Sequence, residues 1–139
     1  MAQSVLVELW RPSTASKTDA LIVSSWEGRL AVLEVDAPGS HLTLRSTGRD
    51  LFDALQQLRL QLEPIGWIPL CNGARTDCYP SGMARDMGGG TKVYELVIGK
   101  AGRPPLVGLL EPASPDKVGT VAEQDAYFRQ WMDDRKSRD

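Results

Sequence analysis

The chain has little with which to do metal, thiol or imidazole chemistry. It holds two cysteines, Cys71 and Cys78, and one histidine, His41, in 139 residues. A structural zinc site needs four nitrogen or sulfur ligands, usually with cysteines more closely paired than these. The expectation is no metal and no cofactor, with two small buried thiols. Charge of one sign is also lacking. Lys and Arg number 16 against 18 for Asp and Glu, a net charge of −2. Nucleic-acid-binding domains usually carry a basic excess, so DNA is not an expected partner. Long apolar runs are absent too: stretches such as 20–23 and 30–33 are far too short to span a bilayer. The opening residues Met1-Ala2-Gln3-Ser4 lack the basic region of a secretory signal. A cytoplasmic protein with reduced thiols and no membrane partner is expected.

What is present suits one domain over residues 1–139. At 42% hydrophobic and 24% charged, the composition is that of a globular chain. Residues 5–10 alternate as a strand, with Val5, Val7 and Leu9 on one side. Residues 20–26 and 29–35 read as a hairpin turning at Glu27-Gly28, and 41–45 as a further strand. Over 48–63, Leu51, Leu55, Leu58 and Leu62 make one apolar helical stripe, with Thr47 as the expected cap and Pro64 and Gly66 as the stop. Residues 91–98 and 105–110 read as strands. Thr120-Val121-Ala122-Glu123 is a capping box for a last helix, whose apolar face takes Val121, Phe128, Trp131 and Met132. The charged end, 133–139, is expected to fray. Strands in runs with one inserted and one terminal helix predict an α+β fold: a mostly antiparallel sheet with two helices packed on one face.

Residues 71–92 are the segment most suggestive of function. Five of these 22 residues are glycine, against 13 in the whole chain. Glycine lets backbone approach a ligand closely, and long loops are often functional. The candidate binding residues here are Arg75, Asp77, Tyr79, Arg85, Asp86, Gly88, Gly89, Gly90 and Lys92. The opposing reading is a hairpin loop whose aspartates neutralise its arginines in surface pairs worth little. Gly88-Gly89-Gly90-Thr91-Lys92 lacks the order of a phosphate-binding loop, where Lys precedes Ser or Thr and a helix follows. Ser81 lies in Pro-Ser-Gly rather than a nucleophile elbow. Nothing places His41 near either thiol, so no catalytic residue is assigned. On the last helix, Tyr127 and Trp131 form a second candidate interface, because such residues dominate binding hot spots.

The block Cys71-Asn72-Gly73-Ala74-Arg75, Tyr79-Pro80-Ser81-Gly82-Met83 and Arg85-Asp86-Met87-Gly88-Gly89-Gly90-Thr91-Lys92 resembles a small bacterial family of single-domain cytosolic proteins. The resemblance extends from the 48–63 helix to Trp131. It is similar to immunity-type proteins of toxin–immunity systems, and it implies a non-enzymatic protein that neutralises a cognate toxin by direct binding. The alternative is an enzyme or a binder of a small anionic ligand, nucleotide or RNA, that uses segment 71–92.

Overall fold

The N-terminal part of the chain builds a meander in which neighbours in sequence are neighbours in space. Strands β1 (Gln3–Arg11), β2 (Ser16–Glu27), β3 (Leu30–Ala37) and β4 (Leu42–Gly48) pair antiparallel in that order. The computed structural model describes residues 2–138. Alternation decides the faces: Val7, Leu9, Ala20, Ile22, Leu33 and Val35 turn inward, while Leu6, Glu8, Leu21 and Glu34 turn out. The β2–β3 turn holds Gly28 at φ +63°, the left-handed conformation the sequence predicts there.

Helix α1 (Leu51–Leu62) lies on the inner face, against β3 and β4. Leu55 and Leu58 are fully buried, as the stripe requires. The cap is Asp50 rather than Thr47; its carboxylate accepts from the Asp53 N–H at 2.7 Å. Thr47 is unavailable because β4 stays paired with β3 as far as Gly48. Strand β5 (Ile68–Pro69) pairs with the far end of β1, giving the order β4-β3-β2-β1-β5.

Segment 71–92 is not an open loop. It contains a 3-10 turn at Asn72–Ala74, strand β6 (Cys78–Tyr79) and helix α2 (Gly82–Gly88). With β7 (Lys92–Glu95) and β8 (Leu106–Gly108), β6 forms a second antiparallel sheet in the order β6-β7-β8. Helix α3 (Val121–Arg138) closes the chain. The fold is α+β with antiparallel sheets, but with three helices where the sequence suggests two. Strand β7 ends at Glu95, earlier than expected, because the chain enters a turn at Val97, whose carbonyl accepts from the Lys100 N–H. The Thr120 capping box forms in both directions, with Glu123 N–H donating to Thr120 Oγ1 and Thr120 N–H donating to Glu123 Oε1. Residues 133–138 continue the helix, and Asp139 lies outside the described residues. Asp134 accepts from the Gly99 N–H and Arg135 donates to the Gly102 carbonyl, which pins that end. Among the described residues no helix is long and apolar enough to cross a membrane.

One polar network joins these parts. Arg59 falls on the apolar stripe of α1 and is 1% exposed. Its guanidinium donates to the carbonyls of Gly73 (3.2 Å) and Gly119 (3.0 Å) and to Gln124 Oε1 (2.6 Å). The amide of the fully buried Gln124 in turn faces the carbonyls of Gly73, Arg75 and Cys78 at 2.8–2.9 Å. Among the described residues no carboxylate forms an ion pair with Arg59; burial lowers its pKa, with Cys71, Glu63 and Asp125 acting the other way. Replacing Gln124 with Leu roughly keeps the volume but takes a donor from three buried carbonyls, leaving Gly73 to Arg59 and Arg75 to the Cys78 N–H, and takes one acceptor from a buried cation. Urea melts should show a loss of about 3 kcal/mol or more. Leu58→Ala, which only opens a cavity, should lose about 2–5 kcal/mol.

Candidate functional site

Tyr79, on β6, lies between α1 and α3, and its ring is one rung of an aromatic ladder. Phe52 of α1 meets it edge-on at 5.0 Å between centroids. Phe128 of α3 stacks on its other side at 3.9 Å and 9°. Trp131 continues the ladder 6.3 Å from Phe128, and Arg135 lies over the Trp131 ring at 4.8 Å. Burial pushes the Tyr79 hydroxyl pKa up, with Asp125 acting the same way. Beside this ladder runs a groove of about 230 Å³, lined also by Pro80, Tyr94, Leu96, Arg103 and Pro104. Its walls are mostly ring faces, prolines and a leucine, with Ser81 and Arg103 as further lining residues, an arrangement that favours an apolar side chain over a hydrated one. On the other side of Tyr79, Pro80 and Phe128 is a wider polar depression of about 580 Å³, which takes in Arg49, Asp50, Arg85 and Asp86.

The candidate residues of segment 71–92 separate into two groups. Tyr79, Arg85 and Asp86 lie along the groove or the depression. The others serve the fold or stand apart. Arg75 is 6% exposed and turned inward. Its Nε and NH2 grip both oxygens of Asp77 at 2.9 and 2.8 Å, and its NH1 meets Glu95 at 2.9 Å. The Asp77 hydrogen bonds, above all, hold its pKa above the usual arginine range. Arg85 is also engaged: its Nε donates to Asp50 Oδ2 at 2.7 Å, and its guanidinium lies 5.4 Å from the Phe52 ring centre. Asp50 therefore caps α1 and anchors α2 with one carboxylate.

Gly88, Gly89 and Gly90 deliver the end of α2 to the start of α1. Gly89 ends α2 at φ +65°, and its carbonyl accepts from the Leu51 N–H at 2.9 Å. Gly90, at φ +74°, lies so close to α1 that a Cβ would come within 2.8 Å of the Phe52 nitrogen. Lys92 is exposed and lines neither the groove nor the depression.

On α3, Trp131 lines the groove, whereas Tyr127 is tied down by its hydroxyl, which donates to the Leu96 carbonyl at 2.7 Å. Sequence reasoning assigned Phe128 and Met132 to the core. Phe128 is a groove wall, and Met132 is 38% exposed. Tyr94, Leu96, Arg103 and Pro104 carried no sequence signal, because a fold-dependent crossing of β7, its following loop and α3 brings them together.

The thiols are not set up for nucleophilic chemistry. Burial pushes Cys71 up to about 11 and Cys78 up to about 12. His41 stands exposed at the β3–β4 turn. Among the described residues no group of three His, Cys, Asp or Glu side chains is placed to hold a metal ion. No protein-family profile matches the chain, and no curated protein matches it closely enough to count as a relative.

Two outcomes follow from this geometry. Gly90→Ala meets both a forbidden φ and the α1 backbone, so its melting temperature should fall, corresponding to about 2 kcal/mol. The raised thiol pKa values mean that the folded state keeps protons the unfolded chain releases from about pH 9 upward. That contribution is full below pH 9 and is lost as pH rises toward 11. A chemical-denaturation series from pH 8 to pH 11 should show the wild type losing more stability than Cys71→Ala does over the same interval.

Proposed function

We propose that this chain is a non-enzymatic protein-binding domain that docks its partner on the Tyr79–Phe128–Trp131 groove. Its most concrete form is an immunity protein that neutralises a cognate toxin in the cytoplasm. The observation that carries this reading is the groove itself. Stacked aromatic side chains, partly exposed and backed by a rigid core, are the groups that dominate binding energy at protein interfaces. A further support is chemical. The thiols are buried and held protonated, and both arginines of segment 71–92 are occupied by carboxylates of the same chain. Arg75 and Arg85 are thus committed to the fold, which favours a partner that reads shape and apolar surface over an anion gripped by those two side chains.

Affinity capture from the cell of origin, with wild type and Trp131→Ala as parallel baits, tests this reading. The wild type should retain one stoichiometric protein. Trp131→Ala should weaken that binding about thirtyfold, the loss typical of an interface anchor, with little change in melting temperature. The captured protein, expressed alone, should arrest growth, and co-expression of this chain should restore it. Recovery of a nucleotide or RNA in place of a protein, or equal capture by both baits, would overturn the proposal.

A further inference from the structure

Beyond Trp131 and Pro104 the apolar groove opens into a second recess of about 280 Å³. The two share Arg103, Pro104 and Trp131, so one ligand can occupy both. Their chemistry differs sharply. Lys100, Arg103, Lys117 and Arg135 line the recess together with Arg75, Asp77 and Glu95. The only two carboxylates in that lining, Asp77 and Glu95, are both drawn onto Arg75, at 2.8 and 2.9 Å. The lining holds five cations against these two carboxylates, so a net of +3 is left, carried by Lys100, Arg103, Lys117 and Arg135. This local excess of positive charge stands on a protein whose net charge is −2.

We infer that the joined groove and recess bind an acidic segment of the partner protein, with an apolar side chain seated against Phe128 and Trp131 and adjacent Asp or Glu carboxylates facing Lys100, Arg103, Lys117 and Arg135. This deepens the protein-binding reading and rests on it. Charge complementarity selects the carboxylates, because a basic partner would meet a lining with three more cations than carboxylates. The groove selects a side chain over a nucleobase. A buried base leaves several hydrogen-bonding edges that need partners, and among its rings and prolines the groove has few polar side chains, those of Ser81, Arg103 and the tyrosines. Arg103 stands where the two regions meet, so it sets the spacing between anchor and carboxylate. Arg135 is held in place by its stacking on Trp131 and its bond to the Gly102 carbonyl, which prepares its charge at little further entropic cost.

The experiment is selection of a random peptide library displayed on phage against the full chain, followed by binding of the enriched peptides measured through tryptophan fluorescence. Enriched sequences should pair an aromatic residue or leucine with two or more nearby Asp or Glu. Arg103→Glu with Lys117→Glu, both at exposed positions, should weaken those peptides about tenfold or more, and added salt should weaken the wild type in the same direction. Enrichment without acidic bias, equal binding by the charge-reversed variant, or no enrichment at all overturns the inference. So does a twelve-nucleotide oligothymidylate that binds the wild type better than any selected peptide. The two readings fail differently. If the natural partner is lost from Trp131→Ala but kept by the charge-reversed variant, the protein-binding reading stands and the acidic segment falls. If the wild type captures no protein, the protein-binding reading falls whatever the peptides show.

Discussion

The structure depends on burying a cation that has no carboxylate to pair with. Moving an ionised side chain from water into a protein interior costs several kcal/mol even after relaxation. Arg59 meets that cost with directed dipoles: two backbone carbonyls and the amide oxygen of Gln124. Those carbonyls come from Gly73 and Gly119, on separate stretches of chain, and Gln124 comes from α3. Each stretch must therefore be in place before the two terminal nitrogens of the guanidinium find acceptors; its Nε stays buried without one. Gly73 can deliver its carbonyl only because it lacks a side chain; a Cβ there would run into Leu55 and Leu109. The network thus works as a registry device, coupling the meander and its helix to the second sheet and α3.

That registry reaches the groove through α3. Gln124, Phe128 and Trp131 follow one another at four and three residues, so they share a helical face. Fixing the Gln124 amide on the carbonyls of Gly73, Arg75 and Cys78 fixes the rotation of the helix. The same bonds hold β6, which carries Tyr79. The stacking of Tyr79 on Phe128 is then imposed from both sides by one buried side chain. A second joint, from Gly89 and Gly90 to α1 and from Arg85 to Asp50, holds α2 beside it. The groove is preformed, and a partner need not order it on binding.

The meander, its turns and α1 were legible because their signals are local: alternation, a turn glycine, a leucine stripe. Leu55 and Leu58 are core for the reason the periodicity states. Arg59 was not legible. An arginine among leucines on a helical stripe reads as a solvated edge, and only its partners at positions 73, 119 and 124 reveal a buried one. Segment 71–92 was misjudged for a related reason. Its glycines resemble loop residues, yet Gly89 and Gly90 seat one helix end against another, and Ser81 starts a short helix by accepting from the Ala84 N–H. Of the candidate site residues, Tyr79 and Trp131 came from composition and position alone. Their groove partners Tyr94, Leu96 and Pro104 depend on the crossing of separated segments, which no window of sequence contains.

The charges on this chain divide by burial. Asp77 and Glu95 converge on Arg75, and a bidentate guanidinium–carboxylate pair of this kind is stronger and more directional than a lysine pair. Their effect on stability is local to β6 and β7. Their effect on the surface is wider, because two carboxylates turned onto a buried arginine can no longer neutralise the cations around them. The lining holds five cations against these two carboxylates, so the recess beside Trp131 stays positive whichever cations they face. The inward ion pairs decide where that charge stands, leaving it on Lys100, Arg103, Lys117 and Arg135. An arginine that suggests a binding residue in the sequence acts at one remove, by withdrawing negative charge from the place where a partner would be read.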